Sequence, residues 1–115
     1  MGPLLLAGIP VTDLAAAIDW YGRLCGDDKP FIPNDTEAVW DLAEDRSVYV
    51  ALDPKRAGHA MVGLYVDDLD TRIELAASRG VHPISTETYD NSVGRVVFRD
   101  ADGNEFAFGG LAVDP

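Results

Sequence analysis

The chain has 115 residues, 47% of them hydrophobic, with 9 basic against 20 acidic side chains and a net charge of −11. That length buries one core rather than two, and so dense a negative load excludes nucleic acid and anionic membrane as expected partners, since both are held through basic patches. The single cysteine, Cys25, excludes an intrachain disulfide and a cysteine-built zinc site. No apolar run approaches the roughly 18 to 20 residues that cross a bilayer, and residues 4–9 are too short and lack the basic flank of a secretory signal, so the expected location is cytoplasmic.

Residues 4–11 read as a buried strand, with Pro10 near its end where a missing donor is tolerated at an edge or bulge. Residues 13–25 read as a helix. Leu14, Ala17, Ile18, Tyr21 and Cys25 keep the three-and-four spacing of one apolar stripe. Asp13 stands where a carboxylate caps the first turn, and Gly26 suits the left-handed C-terminal cap. Short strands follow at 30–33 and 37–42 around an Asn34-Asp35 turn, with a third at 47–52. Residues 53–58, with Pro54 and two basic side chains, form a link. A strand at 59–66 then leads into a helix at 68–79, whose stripe is Leu69, Ile73, Ala76 and Ala77 and whose end is Gly80. Asp68 and Arg72 stand four apart on one of its faces. Strands at 81–86, 94–99 and 105–108 complete the chain, separated by a polar stretch at 87–93 of the kind that borders sites.

The second half repeats the first. Gly8-Ile9-Pro10-Val11-Thr12-Asp13-Leu14 with Ile18 returns as Gly63-Leu64-Tyr65-Val66-Asp67-Asp68-Leu69 with Ile73, at an offset of 55 (63 minus 8). The run from Ala43 to Val50 lines up with the run from Ala101 to Phe108 at an offset of 58 (101 minus 43). Each unit therefore has the order β-α-β-β-β. The fold class is α+β, a single domain over 1–115 made of module one, about 3–53, and module two, about 58–110, packed around one core.

Val11-x-Asp13-Leu14 with Trp20-Tyr21 and Gly26, Val66-Asp67-Asp68-Leu69 with Arg79-Gly80-Val81, and Gly94-Arg95-x-x-Phe98-x-Asp100-Ala101-Asp102-Gly103-Asn104 together resemble the vicinal oxygen chelate superfamily, the glyoxalase, bleomycin-resistance and extradiol-dioxygenase group. The resemblance covers essentially the whole chain. It implies paired β-α-β-β-β modules whose curved mixed sheets enclose a cavity with the helices outside. In many members a divalent metal is held by one residue on the first and one on the last strand of each unit. Those positions fall on Leu6 (13 minus 7), Met61 (68 minus 7), Ala107 (104 plus 3) and Tyr49 (107 minus 58). Leu6, Met61 and Ala107 supply no carboxylate, imidazole or thiolate, so the resemblance implies a member of the metal-free, bleomycin-resistance-like branch with no metal or other cofactor.

What remains is a cavity lined by those same positions. Side chains two apart in a strand share a face, which groups Met61 with His59, Gly63 and Tyr65, Ala107 with Glu105, and Tyr49 with Ser47 and Ala51; Trp40 lies in the neighbouring strand. The expected ligand-binding set is Leu6, Trp40, Tyr49, His59, Met61, Tyr65, Glu105 and Ala107, an aromatic pocket with few polar groups. Two function classes compete. One is a protein that sequesters a small aromatic or cationic molecule, since an aromatic cage in an acidic protein attracts cations. The other is a metal-independent or degenerate glyoxalase- or lyase-like enzyme in which His59, Tyr65 or Glu105 transfers a proton, Glu105 also being placed to orient His59. The Asp100-to-Asn104 run has its glycine fourth, unlike a calcium loop, and reads as a tight turn with Gly103 or Asn104 at positive φ. The partners expected are a small-molecule ligand and a second copy in a homodimer, because one helix per sheet leaves the apolar strand 4–11 to be covered, and the resemblance also implies dimers.

Overall fold

A computed structural model describes residues 2–89 and 91–111. Module one runs β1 (Leu5–Val11), α1 (Leu14–Cys25), β2 (Phe31–Asn34), β3 (Glu37–Ala43) and β4 (Arg46–Leu52). Module two runs β5 (Met61–Tyr65), α2 (Leu69–Ser78), β6 (Ser85–Thr88), β7 (Val93–Arg99) and β8 (Glu105–Leu111). Their sheets have the orders β1-β4-β3-β2 and β5-β8-β7-β6, the same topology twice. In each, the first strand lies parallel to the last and the other pairs are antiparallel. Pro10 thus sits in an edge strand, where its missing donor costs no ladder bond.

Local chemistry sets the helix ends. Asp13 Oδ1 accepts the Ala16 N–H at 3.1 Å, and Gly26, at φ 77°, turns the chain so that its own N–H and that of Asp27 both donate to the Gly22 carbonyl. Asp68, the counterpart of Asp13 at the 55-residue offset, does not cap α2. Its carboxylate accepts Arg72 Nε at 2.6 Å instead, and a side chain committed to that ion pair leaves the first turn of α2 uncapped. Gly80, at φ 84°, closes that helix as the sequence indicates. The two β-hairpin turns that match at the 58-residue offset both need the left-handed conformation, with Asp45 at φ 61° and Gly103 at φ 101°.

Three boundaries differ from the sequence reading. The strand expected at 81–86 forms only at Ser85–Thr88: Pro83 cannot donate to a ladder, and Val81 instead drops into the core, its N–H held by the Ala76 carbonyl. The stretch expected as a loop at 87–93 is mostly hairpin, because Glu87 and Thr88 pair with Arg95 and Gly94. The turn is closed by Tyr89 N–H on the Val93 carbonyl, with Ser92 at φ 66°, while Asp90 lies outside the described residues. His59 stands two residues before β5 rather than in it.

One cluster of buried side chains draws on both modules. Ile9, Val11, Ala38, Trp40, Val48 and Val50 come from the helix-covered face of the first sheet, and Val96, Phe98, Phe106 and Phe108 from that of the second. Tyr21 of α1 joins them, with its ring centroid 6.1 Å from Trp40 and 6.3 Å from Phe106. Polar contacts lock the same boundary. The buried Asn104 donates through Nδ2 to the Pro10 carbonyl at 2.7 Å and accepts the N–H groups of Gly58 and Ala60 at 3.0 Å each. Thr12 gives both its N–H and its hydroxyl to Asp102, and Arg23 and Arg79 each donate to the other's backbone carbonyl. Among the described residues every buried side-chain nitrogen or oxygen has a hydrogen-bond partner, so no unpaired side-chain polar group is sealed into the boundary.

Candidate functional site

Strand register decides which side chains turn away from this core. In module one, Leu6, Gly8 and Pro10 are level with Ser47, Tyr49 and Ala51, and those with Asp41, Val39 and Glu37, so all nine share the face opposite the helix. In module two, Met61, Gly63 and Tyr65 are level with Glu105, Ala107 and Gly109, and those with Arg99, Val97 and Arg95. Of the expected lining residues, Leu6 and Tyr49 are therefore brought together on one face, and Met61, Tyr65, Glu105 and Ala107 on the other. Leu6 is 51% exposed, Tyr65 66% and Met61 76%, large apolar groups held in water. Val97 and Ala107 lie side by side on that second face and are buried, though they stand outside the main core.

Two expectations change. Trp40 is on the helix side, fully buried beside Tyr21, with its indole N–H on the Asp27 carbonyl at 2.8 Å, so it drops out of the lining. The charges at Glu37 and Asp41 carried that signal, because alternation puts Ala38, Trp40 and Leu42 on the other side of β3. The expected His59–Glu105 pairing is also replaced. Arg99 takes the Glu105 carboxylate at 2.9 Å, and His59 is an exposed residue ahead of the strand, which leaves it without the orienting carboxylate that a general base would use.

Charged residues that the sequence reading passed over lie on both faces. Arg95 and Arg99 on module two correspond, at the 58-residue offset, to Glu37 and Asp41 on module one, so matched positions carry opposite signs. The arginines are met by Glu87 at 3.4 Å and Glu105 at 2.9 Å; Glu37 accepts the Asn34 amide at 2.7 Å and Asp41 the Ser47 hydroxyl at 2.6 Å. Next to Tyr65, a cleft of about 700 Å³ opens between the end of β5 and the β3–β4 turn, with Arg46 and Arg72 on its walls. A smaller pocket of about 250 Å³ lies against Tyr49.

The donors suit no metal at the four ligand positions, which hold Leu6, Tyr49, Met61 and Ala107, and among the described residues no three His, Cys, Asp or Glu side chains gather within reach of one ion. The perturbed acids lie elsewhere. Burial pushes the Cys25 thiol up to about 11, with Asp27 adding to the shift and Arg72 and Arg79 opposing it. Burial, reinforced by the Asp100 carboxylate, pushes the Tyr21 phenol far above its ordinary value. Both groups are protonated at neutral pH and serve packing rather than proton transfer.

Known proteins share this fold. A structure of a glyoxalase/bleomycin resistance protein from Catenulispora acidiphila DSM 44928 is 46% identical over 96% of this chain and 99% of that one, with a TM-score of 0.92. TioX from Micromonospora sp. ML1 is 20% identical with a TM-score of 0.72, covering 95% of this chain and 98% of its own. A bleomycin-binding protein complexed with bleomycin is 15% identical with a TM-score of 0.76, covering 95% and 98%; the last two likenesses show the fold alone. No curated protein matches the sequence. The family model of the Glyoxalase/Bleomycin resistance protein/Dioxygenase superfamily matches residues 4–108, and with the repeated modules, their register and the 46% identical relative, it establishes that the chain belongs to that superfamily.

Proposed function

We propose that the protein is a metal-free small-molecule binding or sequestration protein, acting as a homodimer on an aromatic or cationic ligand. The observation that carries the reading is the content of the four ligand positions. Leu6, Tyr49, Met61 and Ala107 replace metal donors with apolar and aromatic surface, on faces that turn away from the core. A bleomycin-binding protein of the same fold supports a small molecule as the cargo. Neither open face closes a cavity alone, and exposed Leu6 on one and Met61 and Tyr65 on the other give apolar surface for a second copy to bury. Opposite signs at matched positions favour seating module one of one copy against module two of the other.

Thermal denaturation against a panel of aromatic and cationic compounds tests the reading, because a ligand that binds only the folded state raises Tm. We expect at least one aromatic cation to do so. Elemental analysis after incubation with zinc, nickel, manganese or iron is expected to find no stoichiometric metal, and light scattering a mass near twice 12.4 kDa that Leu6→Asp lowers. A panel without a single hit, or one metal per chain, overturns the reading.

A further inference from the structure

The two open faces are unequal at matched positions. Glu37, Tyr49 and Asp53 of module one stand where module two has Arg95, Ala107 and Leu111, at 58 residues' distance each (95 minus 37, 107 minus 49, 111 minus 53). On module one these three border the same pocket of about 250 Å³, with Gly8 as part of its floor and Arg56 at its rim. The tip of the Tyr49 ring rests on Gly8, so close that a Cβ there would lie 2.7 Å from the phenol carbon and oxygen. Only glycine lets the ring lie down over the strand.

The carboxylates are not used up by the fold. Glu37 Oε1 accepts one amide hydrogen bond from Asn34, and its remaining acceptor capacity borders the pocket. Asp53 meets Arg56 at 3.7 Å, a loose contact with an arginine side chain that is 84% exposed. Such a pair contributes little and exchanges readily. An aromatic ring beside two carboxylates is the arrangement that recognises an organic cation, because the ring's quadrupole and both negative charges act on one compact positive group.

We propose that this pocket binds the ammonium group, primary or quaternary, of the ligand, with Tyr49 against its methyl or methylene groups, Glu37 and Asp53 as counter-charges, and Arg56 as the resident cation it displaces. The inference rests on the binding reading above and names the part of the ligand that module one takes. Module two, with Arg95 and Ala107 at the matched places, has no equivalent pocket wall and receives the neutral remainder.

Choline and its uncharged carbon isostere 3,3-dimethylbutan-1-ol test the site by NMR titration of the full chain, following the amide signals of Gly8 and Tyr49. Choline is expected to bind about tenfold more tightly than the isostere, and Tyr49→Leu to weaken choline about three- to tenfold. Glu37→Gln and Asp53→Asn are each expected to weaken it several-fold, and Arg56→Ala to strengthen it, since the competing cation is gone. Glu74→Gln, a carboxylate removed from the exposed side of α2, leaves choline affinity as it was. Equal affinity for choline and the isostere overturns the ammonium site while leaving small-molecule binding intact. Failure of wild-type protein to bind millimolar choline, or an Arg56→Ala variant that binds choline more weakly, also overturns it. Unchanged melting temperatures of Glu37→Gln and Asp53→Asn identify their losses as binding effects.

Discussion

The Tyr21 phenol donates to Asp100 Oδ2 at 2.8 Å, a bond that joins α1 of module one to the β7–β8 turn of module two across 79 residues of chain. Asp100 also accepts the backbone N–H groups of Asp102 and Asn104 and the Asn104 side-chain amide. Tyr21→Phe removes one donor and leaves the carboxylate three others, so we expect a loss of about 1 to 2 kcal/mol in urea unfolding. Asp100→Ala orphans the phenol and the Asn104 donors together, and about 3 kcal/mol or more is expected. Equal losses from the two substitutions would show that the carboxylate is not the centre of this network.

Asn104 ties Pro10, Gly58 and Ala60 together with one amide. Asn104→Asp keeps the shape and the acceptor but turns the donor into a second acceptor facing the Pro10 carbonyl and Asp100. We expect a destabilisation above about 2 kcal/mol from Asn104→Asp at pH 7, partly recovered on acidification as the new carboxyl protonates. A pH-independent loss would contradict this account.

Alkaline stability follows from the two raised acids. Cys25 titrates near 9 when unfolded and at about 11 when folded, and burial, with the Asp100 charge, raises Tyr21 well above its ordinary value near 10. In both cases the unfolded chain releases its proton first. Stability is therefore fully present below about pH 9 and falls as pH climbs through 11. Denaturant midpoints measured from pH 7 to 11 should show that fall, and a Cys25→Ala, Tyr21→Phe double variant should flatten it. A wild-type midpoint that holds to pH 11 would rule out the linkage.

Two glycines should respond in opposite ways to one added methyl. Gly58 has φ 98°, and a Cβ there would lie 2.6 Å from the Asp102 carbonyl oxygen, so Gly58→Ala is expected to cost about 2 kcal/mol or more in thermal unfolding. Gly63, on the open face of β5, has nothing of its own chain within 4 Å of its Cβ position, and in a chain held monomeric by Leu6→Asp, Gly63→Ala should leave stability unchanged within about 0.5 kcal/mol. A Gly63→Ala that destabilises the monomer would contradict an open β5 face.

Both helices with their stripes, the Asp13 cap and the tight turn at Gly103 were legible in the sequence because each depends on residues within a few positions of one another, and the repeat because its runs match at constant offsets. So was the grouping of Met61 with Gly63 and Tyr65, of Ala107 with Glu105 and of Tyr49 with Ser47 and Ala51, through the alternation of side chains along a strand. The face of Trp40 was written in the alternation of Glu37 and Asp41 and was missed when aromatic character was weighed ahead of it. Register at β6 was hidden by Pro83, which breaks the ladder without breaking the apolar pattern. Nothing local marks Tyr21 as the partner of Asp100, or Arg99 as the holder of Glu105, since both depend on how strands and modules come together.

Tyr21 has a counterpart in the second unit, Ala76, at the 55-residue offset, and both are fully buried. Two identical halves would bring two tyrosines or two alanines into a core that holds one of each. Within a single polypeptide neither half has to match itself. Large and small core side chains, and the charges at Glu37 and Arg95, accordingly differ between matched positions. Neither half is now a spare for the other, and a protein reassembled from two first halves or two second halves should fail to form a sound core.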